Sequence, residues 1–415
     1  MSFSPRKGES SLRRRREFLK NLAFVGAALI PGFSGSQRGE KPGELRKKKG
    51  EMWYRRLGRT NLEISEITLG GSPLPDWSLF REIIDRGVNY VDTSCTYSNG
   101  NSERQIGRLF KEVGRDKVYV ATKFHLRGKW TTESIIQSVE GSLRRLETDF
   151  LDVLSIHGAD RDEDLVDERV LGAFERLKKQ GKFRYNGLSC HSNHHKVLKT
   201  AVECGQYDMI QPGYNVFEID EGEKGIRTYE DYLTESGLRR LLRQAASRDV
   251  GIIAMKTLKV GGRRQNLERY GTGVTSLFQA MLKWVLENED VTAAVTEMLN
   301  RRQMEEDLAA AGSPLTPEER RTLFRYVAEN CRDYCRQCGR CQRGCPSRVA
   351  TTEILRFLAY YESYGKTEQA RALYSDLSPD QTALACLDCG LCESSCPFGL
   401  SVRSQILRAH GVLFC

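Results

Sequence analysis

Four side chains far apart in the chain are of types that together could reduce or oxidise a carbon–oxygen bond. Asp92 closes the apolar run that begins at Asn89, and Tyr97 follows five positions later. Lys123 ends the run from Val118 to Thr122, and His157 ends the run from Leu151 to Ile156. A tyrosine hydroxyl ordinarily titrates near ~10, too high for a good acid at neutral pH. A neighbouring ammonium lowers it, and a carboxylate beside the lysine keeps that ammonium charged and oriented. An imidazole can hold a carbonyl oxygen in line for the proton. Asp92, Tyr97, Lys123 and His157 thus suit hydride reduction of an aldehyde or ketone. Taken singly, Asp92 reads as a helix cap, Lys123 as a surface lysine and His157 as a packed core residue. All four, in order and each at or just beyond a strand end, read as one catalytic site.

That site forms only if the strand ends meet. Each run is followed by a helix-like pattern, and parallel strands closing into a barrel gather their C-terminal ends on one face. From Met52 the chain alternates between the two periodicities. Met52–Thr68 predicts a hairpin under the barrel. Helices are predicted over Trp77–Arg86, Ser102–Glu112, Thr132–Glu147, Glu168–Gln180, His194–Glu203, Ser236–Ser247, Ser276–Glu287 and Arg301–Ala311. Further strands are predicted over Phe183–Ser189, Met209–Gln211, Gly251–Lys256 and Val291–Thr296. Eight such alternations favour an α/β fold of the (β/α)₈ TIM-barrel kind over an open doubly wound sheet.

Asp92-Thr93, Tyr97, Ser102-Glu103, then Ala121-Thr122-Lys123 and His157 resemble the catalytic signature of the aldo/keto reductases, which are (β/α)₈ barrels. The likeness runs from about Met52 to Gly312. It implies a nicotinamide dinucleotide, NAD(P)(H), with contacts from Ser189, Gln211 and Tyr214-Asn215 around the carboxamide. The family usually has an asparagine after that serine, where this chain has Cys190, and Met255 stands where many members stack an aromatic ring. Leu258 and Gln303 complete the implied cofactor set, and Glu297-Met298 and Glu306-Asp307 occupy the phosphate and adenine region. A carboxylate at Glu297 would repel a 2′-phosphate, which leaves no clear preference for NADP.

The C-terminal segment breaks the barrel pattern. Cys335-x₂-Cys338-x₂-Cys341-x₃-Cys345-Pro346 is repeated as Cys386-x₂-Cys389-x₂-Cys392-x₃-Cys396-Pro397. This is the spacing of paired [4Fe–4S] clusters in which the fourth cysteine of each run ligates the other cluster. Cys335, Cys338, Cys341 and Cys396 are expected to hold one cluster, and Cys386, Cys389, Cys392 and Cys345 the other. A zinc ribbon would not need the third and fourth cysteines followed by proline. A disulfide framework is the other alternative in an exported chain. Thr352–Tyr364 and Thr367–Leu377 between the runs look helical, so the segment resembles a helical ferredoxin-type domain. Of 13 cysteines, Cys95, Cys190, Cys204, Cys331 and Cys415 remain as spectators.

The net charge of +9 could suggest nucleic acid, but residues 1–50 hold thirteen Lys/Arg against four Asp/Glu and account for all of it. A neutral body has no electrostatic footprint for a phosphate backbone, which sets nucleic acid aside. Arg13 to Lys20 precede the short apolar run Leu22–Ile30, too short to span a bilayer. Arg15-Arg16-Glu17-Phe18-Leu19-Lys20 resembles the twin-arginine export signal, which addresses proteins folded before transport. The organisation expected is a signal over 1–36, a linker over 37–51, a barrel over 52–315 and a two-cluster domain over 316–415. The function expected is carbonyl/alcohol chemistry coupled to electron transfer, with a small-molecule substrate and a redox protein or quinone as partner. The location expected is the periplasm or outer face of the membrane, with the cytoplasm as alternative. A binding or accessory barrel with an iron–sulfur relay is the competing reading.

Overall fold

The computed structural model describes residues 46–126, 128–217, 237–258, 270, 276–330 and 334–414. The export-signal reading, the loops 218–235 and 259–269, and Cys331 and Cys415 lie outside the described residues.

The first element is a small antiparallel sheet. Strand β1 (Arg46–Lys49) pairs with β2 (Met52–Arg56), which pairs with β3 (Glu63–Ser65). β1 falls wholly inside the stretch read as a linker. Its four basic residues are tolerated in a strand because Lys47 and Lys49, on one face, both donate to Glu63, at 2.6 and 2.7 Å.

Eight parallel strands follow and close into a barrel, as the alternating pattern predicts. They are β4 (Ile67–Gly70), β5 (Tyr90–Asp92), β6 (Tyr119–His125), β7 (Leu151–His157), β8 (Phe183–Cys190), β9 (Met209–Pro212), β10 (Gly251–Ala254) and β11 (Ala293–Thr296). Closure runs through β11 to β4, where Ala294 pairs with Ile67. The helices between strands follow the predicted spans to within a few residues, and several begin at the side-chain caps their sequences offer. Asp76 accepts from Leu79 N, and Thr131 and Ser134 form a reciprocal capping box. The helix Asn101–Val113 buries Ile106, Leu109 and Phe110 against the sheet.

The β2–β3 hairpin plugs the barrel from below. Leu57, Leu62 and Ile64 join Tyr90, Ala121, Val153, Met209 and Ile253 in one interior cluster. Gly58 (φ +47) is required at this contact, since a Cβ there would lie 2.3 Å from Gly251 N. Glu66, fully buried, accepts from Arg55 Nε at 2.6 Å and from Gly312 N at 2.8 Å. Arg55 in turn donates to the carbonyls of Val291 and Leu286, both at 2.7 Å. One buried carboxylate thereby ties the hairpin to both ends of the barrel sequence.

Barrel and C-terminal helices belong to one compact unit. The helix Pro317–Asn330 shares the barrel's apolar shell through Leu323, Tyr326 and Val327. The cysteine-rich segment has its own core, built from Ile354, Phe357, Leu358, Tyr374 and Ile406 on the helices Thr351–Glu362, Thr367–Ser375 and Val402–Leu413, with Val349 just before the first of them. The two cysteine runs repeat in backbone as in sequence. Gln337 and Asp388 both have positive φ (63 and 55), Gly339 and Gly390 likewise (77 and 72), and each glycine opens a one-turn helix.

Candidate active site and cluster-binding thiols

Lys123 sits inside the barrel mouth, 2% exposed, with Asp92 from the neighbouring strand. Its ammonium donates to Asp92 Oδ2 at 2.6 Å and to the Thr93 carbonyl at 2.8 Å. The other carboxylate oxygen, Asp92 Oδ1, is buried without a partner. Tyr97 lies in a single turn after β5 whose next residues, Ser98 and Asn99, are left-handed (φ 48 and 52). This turn swings the phenol ring back so that the Lys123 ammonium stands 5.3 Å from its centroid. His157, last in β7, meets the ring edge-on with centroids 5.5 Å apart, and its Nδ1 shares a 2.9 Å hydrogen bond with Ser94 Oγ. The four residues singled out from the sequence therefore converge.

Their electrostatics differ from the expectation. Lys123 was expected to lower the Tyr97 hydroxyl, but burial and then the Asp92 carboxylate push it well above its ordinary value, with Tyr360, Glu297 and Cys95 adding to the effect. The ammonium spends its hydrogen bonds on Asp92 and Thr93, which leaves the phenol facing the carboxylate as well as the cation.

Three imidazoles line the mouth where one was foreseen. His125 stacks on His157 at 4.1 Å, and His191 lies 6.0 Å from His157. His125 is two residues beyond Lys123 on the same strand, so the period of two places both side chains on one face. Burial, then Lys256 and Arg356, hold His191 well below the ordinary histidine range. Below the mouth, Glu103 accepts from Thr122 at 2.5 Å and from Arg145 at 2.6 Å, and Thr93 bonds Ser102 at 2.7 Å.

The residues implied for the cofactor separate into two groups. Ser189 and Gln211 stand opposite each other in the β8–β9 register, both buried. Gln211 Oε1 has no partner, an acceptor a carboxamide N–H would satisfy, so this end fits a nicotinamide. Met255 is buried just past β10, and Leu258 is half-buried against the shell. The Tyr214 and Cys190 side chains are fully buried and bonded within the protein. The Tyr214 ring stacks on Trp284 at 5.0 Å within the shell, and its hydroxyl accepts from Arg239 and Asn288. Beyond β9 the backbone stays in register with the end of β10, since Gly213 bridges Met255 and Tyr214 N donates to the Met255 carbonyl at 3.0 Å. The Cys190 thiol is buried and bonds the Ser192 carbonyl. Gln303 Oε1 accepts from Leu299 N, which makes it part of a helix entry.

The C-terminal segment lies across the same mouth. Arg356 pairs with Asp160 at 3.2 Å, Lys256 donates to the Tyr360 hydroxyl at 2.9 Å, and Lys366 pairs with Glu297 at 2.5 Å while donating to the Ser72 carbonyl. Glu297, expected to repel a 2′-phosphate, is therefore neutralised by a lysine of the other segment. No single-chain pattern marks Lys256, Tyr360, Arg356 or Lys366 as site residues.

The thiols also converge. Cys345, Cys386, Cys389 and Cys392 line one cavity, the crossed combination expected for one cluster. Cys341 and Cys396, from different runs, are close enough to raise the Cys341 thiol after burial has done so. The eight thiols are unbridged. Backbone or side-chain N–H groups of Gln337 and Leu400 donate to the sulfurs of Cys335 and Cys396, each at 3.4 Å. Such donors favour a thiolate, the form an iron–sulfur cluster binds. Among the described residues no three Cys, His, Asp or Glu side chains close on a single-ion site; the thiols surround a space instead.

Comparison with known proteins agrees with this architecture. Residues 78–271 match the aldo/keto reductase family, and residues 334–401 match a 4Fe-4S dicluster domain. The chain is 28% identical over 308 residues to the uncharacterized oxidoreductase YqkF of Bacillus subtilis, covering 67% of this chain and 98% of that one. It is 26% identical over 297 residues to L-galactose dehydrogenase of Arabidopsis thaliana, covering 62% and 87%. The solved aldo-keto reductase AKR11C1 from Bacillus halodurans, in its holo form, superposes with a TM-score of 0.51 at 25% identity, over 66% of this chain and 95% of that one. An aldo-keto reductase from Klebsiella pneumoniae in complex with NADPH shares the fold, with a TM-score of 0.51 at 22% identity over 65% and 93%. The chain is an oxidoreductase whose barrel matches the aldo/keto reductase family over residues 78–271 and whose C-terminal segment matches a 4Fe-4S dicluster domain.

Proposed function

We propose that the barrel interconverts a small carbonyl compound and its alcohol, and that two [4Fe–4S] clusters link this reaction to a one-electron partner. The carrying observation is the buried 2.6 Å contact between Lys123 and Asp92 under the Tyr97 ring. Asp92 holds the ammonium in place, Tyr97 and His157 face the substrate oxygen, and Ser94 fixes the imidazole. A reduced nicotinamide, when bound, supplies the hydride. Ser189 and Gln211 would hold its carboxamide, with Met255 and Leu258 beside the ring. The Klebsiella relative's NADPH supports a dinucleotide of this class. Lys366, by neutralising Glu297, removes the objection to a 2′-phosphate.

Clusters held by Cys335, Cys338, Cys341 and Cys396, and by Cys386, Cys389, Cys392 and Cys345, would pass electrons singly. Leu384, Leu387 and Leu391 are exposed beside the second quartet, an apolar edge suited to a redox protein or a quinone. The twin-arginine-like Arg15–Lys20 fits export after the clusters are inserted in a reducing cytosol. Dinucleotide carried outside the cytosol would then travel tightly bound.

Denaturing the purified protein and identifying released nucleotide, with iron and sulfide counted alongside, tests this reading. No released nucleotide, together with no affinity for added NAD(H) or NADP(H), would end the dinucleotide part. The helix Thr351–Glu362 across the mouth favours the accessory reading, and Tyr97→Phe separates the two. Unchanged turnover of every active carbonyl by that variant would make the barrel a binding module.

A further inference from the structure

We propose that the two cysteine quartets are unequal. The one headed by Cys335 is an inner centre fastened to the barrel mouth and tuned by Gln337, and the one headed by Cys386 is an outer centre that exchanges electrons with a soluble one-electron reagent. The inference rests on the cluster-binding part of the reading above. The two runs supply an internal comparison, because Cys335, Cys338 and Cys341 recur at the same spacing as Cys386, Cys389 and Cys392. Their loops share one backbone form, left-handed at Gln337 and Asp388 (φ 63 and 55) and again at Gly339 and Gly390 (φ 77 and 72). Their surroundings differ.

The first loop is held by the barrel. Gln337 is 3% exposed, and its carbonyl accepts from Asn193 N at 3.3 Å. Arg336 Nε donates to the Phe217 carbonyl at 2.8 Å, and Arg343 donates to Asn193 Oδ1 at 3.4 Å and to the Cys338 carbonyl at 3.1 Å. Asn193 lies in the turn after β8 that also carries His191, whose ring faces His157 with centroids 6.0 Å apart. Asp160 ties that turn down by accepting from His191 N and Ser192 N at 2.8 and 2.9 Å. One short turn therefore joins the first thiols to the barrel mouth. The second loop is open to solvent: Leu387, the counterpart of Arg336, is 71% exposed, and Cys389 is exposed as well.

Hydrogen bonds to sulfur follow the same division. Gln337 donates to Cys335 Sγ through both its backbone N and its side-chain Nε2, each at 3.4 Å. The Thr351 hydroxyl lies 3.2 Å from Cys341 Sγ, and Leu400 N donates to Cys396 Sγ at 3.4 Å. In the second quartet the Glu393 amide approaches Cys392. The counterpart of Gln337 there is Asp388, a carboxylate that accepts from Arg403 at 2.8 Å and has no proton to give. N–H groups aimed at cluster sulfurs favour the more negative, reduced form and so raise its potential. In each exchange at the outer centre the soluble reagent gains or loses one electron and the centre loses or gains it, with no bond made or broken.

The test uses the full-length, cluster-loaded protein as wild type, Gln337→Met and Asp388→Asn, followed by electron paramagnetic resonance during a potentiometric titration. Gln337→Met should lower one midpoint potential by about tenfold in the one-electron equilibrium constant, or about 59 mV, and leave the other unchanged. Asp388→Asn should raise the other one alone. Dysprosium–EDTA added to the buffer should speed the spin relaxation of the centre that Asp388→Asn moves and spare the centre that Gln337→Met moves. Two wild-type centres relaxed equally by dysprosium, or a Gln337→Met variant that shifts neither centre or both alike, would overturn the inference. Protein that holds no iron and sulfide after anaerobic reconstitution would overturn the cluster reading itself, whereas two clusters that respond identically would sink this inference alone.

Discussion

Removing the amine of Lys123 separates stability from chemistry at the barrel mouth. The side chains of Lys123 and Asp92 are 2% and 7% exposed and 2.6 Å apart. Asp92 Oδ1 already lacks a partner, so the carboxylate depends on Lys123 for its compensation. Lys123→Met leaves a buried charge unpaired, which costs about 3–5 kcal/mol. A domain of 150–250 residues shifts by roughly 2–4 °C per kcal/mol, so the barrel transition should fall by on the order of 6–20 °C. Replacing both partners with apolar residues, Asp92→Leu with Lys123→Met, removes the stranded charge, and such exchanges are often neutral or stabilising. Differential scanning calorimetry of the cluster-loaded chain should place the double variant within a few degrees of wild type or above it. Both variants should be inactive toward carbonyls. A double variant as unstable as the single one would mean the pair is kept for the fold. A double variant that still turns over would refute the site.

Glu66 offers a pH test. Burial alone would raise its carboxyl, but Arg46 and Arg55 hold it below its ordinary value. Its contribution is therefore present above about pH 4.3 and lost as pH falls through the lower folded value. Glu66→Gln should lower stability by about 3–5 kcal/mol at pH 7 and flatten the acid limb of the melting curve below pH 4. His191 behaves oppositely in origin: its folded value is lowered, so the unfolded chain takes up a proton below about pH 6.5 while the native chain does not. Wild type should lose melting temperature between pH 7 and 5, and His191→Gln should lose less. For the crossed thiols, Cys335→Ser with Cys396→Ser should remove one cluster, leaving about four of about eight irons, whereas Cys386→Ser with Cys396→Ser should remove both. Iron analysis after anaerobic reconstitution distinguishes the pairings.

The barrel was legible because its strands end in polar residues at regular intervals, and chain order alone fixes which ends meet. Asp92, Lys123 and His157 were found through this regularity, and His125 could have been, since it shares the Lys123 face of β6. The packing of the Tyr214 ring on Trp284, across 70 residues of sequence, is a contact that its closeness to Gln211 in the chain does not reveal. The meeting of Cys345 with Cys386, Cys389 and Cys392 at one cavity was legible because the repeated spacing sets the fourth cysteine of one run beside the other run. Tyr360, Arg356 and Lys366 were illegible for a different reason. They reach the mouth only by docking of one segment on another, and no local periodicity records a surface that meets a partner 100 residues away, as Lys256 and Tyr360 do (|i−j| = 104).

Side chains that close over the barrel mouth are mounted on a helix of the segment that matches a 4Fe-4S dicluster domain. Structural metal binding is part of folding free energy in small domains of this kind. If the proposed clusters are what hold that segment folded, cells starved of iron would have a barrel whose own strands are intact but whose roof is missing, and the proposed chemistry would follow nutrient supply without any regulator being made for the purpose.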